Sequence, residues 1–336
     1  MVTVLHVLVA LLPVLLFLAG LQLMDSFKLV PMKIVGMAVG AGGIAALAAA
    51  LLHGWLLPAS GLSDESFVRY VSPMTEETLK AAFIVSLFVR RRVGFLVDAA
   101  VLGFAAGTGF ALVENIDYLR NLLDAPLMLW LIRGLGTAVL HGATVAIFAM
   151  VSRTLSDRKP DHLWLVFWPG WVAAVMIHSA FNHVPLPPML MTLLQLVVLP
   201  PLLLLVFQRS ERETREWVGE GLDLDFELLQ LVSSDVFEFT RFGTYLRDLR
   251  KRLPGPTVAD MFCLLRLELE LSVRARAMVQ ARELGIEVPV DADLRACLAE
   301  VEYLQASIGR TGMIALEPLR VVSHRDHWHR YLLSGS

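Results

Sequence analysis

Charged side chains are scarce in the first 208 residues of this 336-residue chain. Only 23 of its 61 Asp, Glu, Lys and Arg residues lie in that segment. The whole chain is 56% hydrophobic, and its mean hydropathy is +0.62. Such a composition is too apolar for an ordinary water-soluble protein and predicts several membrane spans.

The chain also lacks a strong charge of either sign and has little cysteine. Its formal net charge is −3 at pH 7, which gives no reason to expect a nucleic-acid partner. Two cysteines, Cys263 and Cys297, are too few for a disulfide framework. Because both lie in the polar C-terminal segment, they indicate a reduced, cytoplasmic location for that segment.

Charge density divides the chain into two parts. Residues 209–336 hold 38 charged residues, with leucines at helical spacing among arginines and glutamates. We therefore predict an all-α fold, with a transmembrane domain at 1–208 and a helical cytoplasmic domain at 209–336. The second domain is expected to be a small bundle or a module that binds a protein partner, with a loose tail as the alternative.

Seven apolar segments are candidates for membrane-spanning helices, so the first domain is predicted to be a polytopic helix bundle. Gly36 and Gly40, four residues apart in the second segment, are typical of close helix packing. The polar residues 58–72 are expected to form a loop. The predicted spans are 2–23, 32–57, 73–89, 94–119, 131–151, 163–183 and 187–208.

The basic residues of the loops predict an orientation. One set of connections between the spans holds 11 lysines and arginines, and the opposite set holds 2. Basic loops remain in the cytoplasm, so the N-terminus is predicted to lie outside and the C-terminal domain inside. We expect an integral protein of the plasma membrane, surrounded by membrane lipid.

Four of the predicted spans carry ionisable residues near the outer membrane surface. A helix rises about 1.5 Å per residue, so these side chains are expected roughly 5–15 Å below that surface. Ionisable groups at such a depth are costly, and by default they mark a functional site. The residues are Glu76 and Glu77 in the third span, Glu114 in the fourth, His141 in the fifth and His178 in the sixth.

Simpler interpretations exist for these residues. The glutamates could face interfacial water at helix ends, and His141 could be a packing residue hydrogen-bonded by Thr137 or Thr144. For the fourth span, however, Gly103 and Gly107 form part of a stripe of small residues that leads up to its glutamate. That stripe predicts close contact with another helix, which would turn the glutamate into the bundle.

Other polar residues have predicted supporting roles. Lys80 is expected to form an ion pair with one of the two preceding glutamates. Asn182 lies one helical turn beyond the histidine of the sixth span and could orient an imidazole or bind a carbonyl group. Arg133 is expected to extend outward to the membrane surface, and Asp98 is expected to cap the fourth span.

Carboxylates and imidazoles at this depth are suited to hydrolysis. Of two neighbouring carboxylates in a low dielectric, one can activate water as a general base while the other donates a proton. The two histidines could polarise a carbonyl group, or His141, His178 and a glutamate could hold a zinc ion with an open position for water. Both arrangements describe a hydrolase, and the sequence leaves the choice between them open.

The order of motifs resembles that of the PrsW intramembrane proteases, which belong with the CAAX prenyl endopeptidases. The similarity covers about residues 70–185 and implies a protease domain at 1–208. It implies site-1-type cleavage of a single-pass membrane protein, such as an anti-sigma factor, near the outer face. The family is often labelled metallo-, although this sequence has no HExxH motif. The matching motifs are EExxK (Glu76, Glu77, Lys80), GFxxxEN (Gly109, Phe110, Glu114, Asn115), His141 and HxxxN (His178, Asn182).

Two other functions fit the same pattern of residues. A non-catalytic scaffold could use the polar pocket to bind a transmembrane partner. A proton-coupled transporter could also use acids and histidines, but it would need polar groups in the inner half of the bundle, where few are found. The sequence has no internal repeat of the kind common in transporters.

Overall fold

The computed structural model describes residues 4–27, 30–90, 92–122, 124–158, 163–183, 186–286, 288 and 291–319. Helices dominate these residues, and none of them lies in a β-strand, which confirms the all-α prediction. The chain divides into two compact units, residues 1–211 and residues 212–336.

The first unit is a bundle of helices with two π-helical turns. The turn Phe67–Val71 joins α3 to α4, and the turn Ile132–Thr137 joins α6 to α7. Single π turns inside helices are rare and occur frequently at functional sites. The helices are α1 Val4–Met24, α2 Met32–Ser60, α3 Asp64–Ser66, α4 Ser72–Val89, α5 Leu96–Asn121, α6 Leu127–Leu131, α7 Ala138–Arg158, α8 Leu163–Asn182 and α9 Pro188–Val232, the last of which continues into the second unit.

Among the described residues, six helical segments are long and apolar enough to cross a membrane, as a polytopic bundle requires. The remaining predicted span is α4, which is less apolar because it carries Glu76, Glu77 and Lys80. All three are buried against protein, so α4 depends on neighbouring helices rather than on lipid contact. The six segments are Val4–Met24, Met32–Ser60, Leu96–Asn121, Leu127–Ser156, Leu165–Asn182 and Pro188–Glu216.

The loop predicted at 58–72 is wrong for most of its length. Helix α2 continues to Ser60, and Gly61 ends it in the left-handed region at φ 65°. Ser63 then caps a new helix by accepting a hydrogen bond from the backbone N–H of Ser66. Only a three-residue connection therefore separates α2 from the next helix.

That next helix runs through the π turn into α4 without a break. The paired glutamates therefore lie well inside a continuous helix and not near its start, as the predicted span at 73–89 implied. A π turn placed before Pro73 accommodates a residue that has no N–H to donate. Thr75 is not an N-cap, because its hydroxyl group donates to the carbonyls of Val71 and Ser72.

Helix α5 forms the centre of the first unit and is buried along most of its length. Its glycines allow α7 to approach closely. A Cβ on Gly103 would lie 2.6 Å from the carbonyl oxygen of Val145, and one on Gly107 would lie 2.1 Å from that of His141. The predicted small-residue contact is confirmed, and the partner helix is the one that carries His141.

The glycine pair predicted to pack α2 is the wrong one. Gly36 and Gly40 are exposed, and a Cβ on either would meet no atom within 4 Å. The contact with α5 uses Gly42 instead, where a Cβ would lie 1.8 Å from the carbonyl oxygen of Ala106. Two glycines four residues apart identify a helix face without side chains, but they do not show whether another helix packs against that face.

This difference predicts opposite outcomes for two glycine-to-alanine substitutions. Gly107→Ala should force α5 and α7 apart and destabilise the protein by about 1–3 kcal/mol, the usual cost of overpacking a core. Gly36→Ala is the matched control and should leave stability unchanged or slightly higher. Thermal unfolding of the detergent-solubilised protein compares them, and equal unfolding temperatures would contradict this packing.

At the end of α5 remote from Glu114, Asp98 caps the helix as predicted. Its Oδ2 accepts hydrogen bonds from the backbone N–H groups of Gly94 and Phe95, at 2.9 Å each. Arg153 of α7 donates from Nε to the carbonyl of Gly94 at 2.6 Å, which ties the start of α5 to a second helix.

The described part of the second unit contains three further α-helices and has a hydrophobic core. Helix α11 begins at Gly255, directly after Pro254. Met261, Leu264 and Leu316 are fully buried in the core, as expected of a small bundle rather than a loose tail. The helices are α10 Arg241–Leu249, α11 Gly255–Glu283 and α12 Ala292–Leu316, with short 3-10 segments at Phe237–Phe239 and Glu317–Leu319.

Candidate active site

The ionisable residues predicted from the sequence come together in the first unit. We call them the charged cluster: Glu76, Glu77 and Lys80 on α4, Glu114 on α5, His141 on α7 and His178 on α8. All of their side chains are at most 9% exposed, except that of Glu114, which is 26% exposed. The cluster is therefore a nearly closed polar site that opens on the Glu114 side.

Glu77 is the most fully hydrogen-bonded carboxylate of the cluster. Its Oε1 accepts hydrogen bonds from Lys80 Nζ at 2.6 Å, from His178 Nδ1 at 2.8 Å and from Thr144 Oγ1 at 3.1 Å. These contacts stabilise the ionised carboxylate and confirm the predicted ion pair with Lys80. Because three donors converge on one oxygen, Glu77 mainly orients its neighbours.

Glu76 has one oxygen without a hydrogen-bond partner. Its Oε1 accepts from the hydroxyl group of Ser72 at 2.6 Å, but its buried Oε2 has no donor among the described residues. Nε2 of His178 lies 3.9 Å from that oxygen. A buried, unpartnered carboxylate oxygen is unusual in a folded protein and marks a place for water, substrate or a cation.

The hydrogen bonds fix the tautomers of both histidines. The Lys80 ammonium can only donate, so His141 Nδ1 accepts from it at 3.0 Å, and His141 Nε2 donates to Glu114 Oε2 at 3.0 Å. His178 Nδ1 donates to Glu77, so in the neutral ring the lone pair is on Nε2, which lies 3.9 Å from Glu76 Oε2. His178 therefore offers an available nitrogen, whereas both nitrogens of His141 are engaged.

Two residues of the site were missed or misassigned from the sequence. Arg133 does not extend outward, because it is 7% exposed and forms an ion pair with Glu114 at 3.0 Å. Thr144 donates to Glu77 rather than to the ring of His141. The only sequence signal for Arg133 was its position eight residues before His141, on a helix already assigned to the site.

The two predicted supporting asparagines differ in their contacts. Asn115 is 1% exposed and lies beside the cluster, where it accepts from Arg133 Nε at 2.9 Å and donates to the carbonyl of Ala10 at 2.8 Å. Asn182 does not orient an imidazole; its Nδ2 donates to the carbonyl of Val68 at 2.9 Å. One further helical turn takes it past the cluster to the π turn before α4.

Three residues of the cluster could hold a metal ion. Glu76, His141 and His178 each offer one ligand atom, and these atoms lie within 4.8 Å of one another in a buried setting. Two imidazoles and a carboxylate, with an open fourth position, form a common ligand set for catalytic zinc. The unpartnered Oε2 of Glu76 fits a cation, and the hydrogen bond from His178 to Glu77 is the usual outer-shell support of a zinc-bound histidine.

Comparison with known proteins gives one family. A family model described as PrsW family intramembrane metalloprotease matches residues 29–206, which include the whole charged cluster and more than half of the chain. No curated protein and no solved structure matches the chain at a significant level.

Proposed function

Since the chain belongs to the PrsW family of intramembrane metalloproteases, we propose that it cleaves a single-pass membrane protein at the charged cluster. The protein is an integral membrane protease. The observation that supports this site is the convergence of three glutamates and two histidines from four helices inside a membrane bundle. Buried ionisable groups at membrane depth are retained only where they have a function.

In a metal-free site, we assign the activation of water to Glu76. Its unpartnered Oε2 can accept a proton from a water molecule, whereas Glu77 Oε1 already accepts from three donors. The adjacent Nε2 of His178 can take up that proton, and the imidazolium so formed can deliver it to the leaving amine. Glu77 keeps this imidazole in the required tautomer.

The remaining residues fix the geometry and exclude water. Lys80 lies between Glu77 and His141 and stacks over the Phe110 ring, 4.5 Å from its centroid. It holds the two halves of the site together and balances the negative charge of the glutamates. Glu114 orients His141, whose ring lies edge-on to that of His178 with centroids 5.1 Å apart.

We propose zinc as the metal of a metal-dependent form of the site, in which Glu76, His141 and His178 would be its ligands and would not act as base and proton carrier. When bound, it would polarise the scissile carbonyl and make water easier to deprotonate. His141 would have to release Lys80 or Glu114 to coordinate, whereas Glu76 and His178 are already free to do so. In a glutamate-only mechanism, the same Glu76 would act as the base.

The family resemblance supports the proposed substrate, and the basic residues of the loops support the proposed orientation. The 11-to-2 distribution of basic residues supports an N-terminus outside and a site near the outer face of the plasma membrane. Cleavage there would be site-1-type, and an anti-sigma factor is a suitable substrate. Residues 1–208 would then be the protease domain, and 209–336 a cytoplasmic domain that binds a protein partner.

Cleavage with and without metal tests the proposal. The full chain in lipid nanodiscs should cut a single-pass anti-sigma-factor reporter, contain about one zinc per chain, and lose activity on chelation until zinc is restored. His178→Ala should lose both zinc and cleavage, whereas His183→Ala, whose ring contacts Tyr70 outside the cluster, should keep both. Fragment masses and elemental analysis measure these outcomes.

The other results are equally informative. If metal-free protein still cleaves the reporter after chelation, the proposed role of zinc is rejected and the glutamate-only mechanism is retained. A reporter that binds the full chain but remains intact would favour the scaffold function instead.

A further inference from the structure

Arg133 is a buried basic residue beside the charged cluster, and the roles assigned above do not explain its burial. It lies on the π-helical turn Ile132–Thr137 and is 7% exposed. Burial of a guanidinium group is unfavourable unless its charge and its N–H groups find partners. Its contacts should therefore indicate what it does.

Every described contact of the Arg133 side chain is with one helix, α5. Nη2 is 3.0 Å from Glu114 Oε2, and Nε donates to Asn115 Oδ1 at 2.9 Å. The guanidinium plane lies over the Tyr118 ring, 3.4 Å from its centroid. An ion pair, a hydrogen bond and a stacked ring together fix a planar group in one orientation, which a lysine could not reproduce fully.

The oxygen that Arg133 contacts is also the oxygen that His141 contacts. Glu114 Oε2 lies 3.0 Å from Arg133 Nη2 and 3.0 Å from His141 Nε2. Glu114 has the most exposed carboxylate of the cluster, at 26%. Without the guanidinium, this carboxylate could rotate toward the opening and leave His141 held by Lys80 alone.

The backbone around Arg133 is fixed as well. Asn115 donates to the carbonyl of Ala10 on α1, and a Cβ on Gly134 would lie 1.9 Å from the carbonyl oxygen of Val9. Helix α1 therefore packs directly against the π turn. This contact leaves the guanidinium little freedom to move away from Glu114.

We propose that Arg133 is a positioning residue of the proposed protease site, which holds the Glu114 carboxylate against His141 and thereby fixes that imidazole for catalysis. The proposal rests on the proposed function, but the position of Glu114 can be tested without any activity. It accounts for the burial of Arg133, for the shared oxygen and for the π turn that directs the side chain inward.

Chemical labelling tests the position of Glu114. A hydrophobic carbodiimide, which modifies accessible carboxyl groups in membrane proteins, is applied to the full chain in nanodiscs and read out by peptide mass spectrometry. Arg133→Gln should raise labelling of Glu114 several-fold, and Arg133→Lys should raise it less. Arg69→Gln is the matched control, because Arg69 also lies on a π turn but pairs with Glu65 at the surface.

Kinetics test the consequence for catalysis. With the reporter that the parent protein cleaves, Arg133→Gln should lower kcat by about 10–100-fold with little change in KM, as for other residues that orient a catalytic group. Arg133→Lys should recover part of the loss. In a Glu114→Gln background, Arg133→Gln should have little further effect, because Arg133 acts through that carboxylate.

The outcomes separate this proposal from the proposed function. Increased labelling in a protein that cleaves nothing would keep Arg133 as the group that positions Glu114 and would reject the protease site. Unchanged labelling, normal kcat, or an equally large loss in the Glu114→Gln background would overturn the positioning role. If Arg133→Gln does not fold, the Arg133→Lys and Glu114→Gln variants decide the question in the same assays.

Discussion

Glu76→Gln is expected to remove cleavage almost completely while the protein still inserts and folds. The substitution keeps the size of the side chain and the acceptor for Ser72. It removes the only carboxylate oxygen of the cluster that is buried without a donor. Loss of a general base lowers rates by about 10²–10⁴-fold, and in the metal-dependent form of the site the same substitution would remove a metal ligand instead.

The matched control for Glu76→Gln is Glu65→Gln. Glu65 lies earlier in the same continuous helix and pairs with Arg69, but its side chain is 70% exposed. Reporter cleavage should be normal in this variant. If Glu76→Gln cleaves normally and Glu77→Gln does not, the base is Glu77, and the interpretation of the unpartnered oxygen is wrong.

His178→Ala should match the loss seen for Glu76→Gln, because it removes the imidazole that faces Glu76. Glu77→Gln should also abolish cleavage, but through a different route, since it breaks contacts with Lys80 and with His178. We therefore expect Glu77→Gln to lower thermal stability as well, whereas Glu76→Gln should not. Thermal unfolding of the same samples distinguishes the two glutamates.

Lys80→Met is expected to have the largest effect on stability. Lys80 is fully buried, and its ammonium group donates to both Glu77 and His141. Methionine has a similar shape but no charge, so Glu77 would remain as an uncompensated buried carboxylate. Removal of one partner of a buried ion pair costs about 3–5 kcal/mol.

A second substitution should reverse part of that loss. In Lys80→Met/Glu77→Gln the unpaired charge is absent, so the double variant should unfold at a higher temperature than Lys80→Met alone. Lys251→Met is the control, because the ion pair of Lys251 with Asp248 is exposed to solvent and should contribute nothing measurable. A double variant less stable than Lys80→Met would contradict the buried-charge explanation.

The common height of the catalytic candidates within the bundle could be predicted because it depends on one dimension only. A helix rises by a fixed distance per residue, so the positions of Glu76, Glu114, His141 and His178 relative to the ends of their apolar segments give their heights in the bundle. The structure brings these four residues together, as the common height required. The order of the motifs along the chain was sufficient to recognise the family.

The direction of a side chain around its helix was harder to predict. A π turn inserts one residue, which rotates all later side chains by about 100° relative to a regular helix. Such a turn contains Arg133, whose outward orientation was predicted wrongly, and another precedes the paired glutamates. No local pattern in the sequence predicts either π turn.

The contacts between helices also could not be predicted from the sequence. Gly36, Gly40 and Gly42 are equally small, yet only Gly42 touches α5. Asn182 has the spacing expected of a residue that orients His178, but its amide binds the backbone before α4. Which face of a helix meets a neighbour depends on the packing of the whole bundle.

By itself, the sequence determined that this protein is helical, that it lies in a membrane and that acids and imidazoles share one level of it, because composition and helical rise are properties of single segments. Only the tertiary structure decided which atoms meet: the three donors on Glu77, the free oxygen of Glu76 and the guanidinium on Glu114. Those contacts depend on how each helix is rotated and how closely it approaches its neighbours, and both are set jointly by all the helices of the bundle.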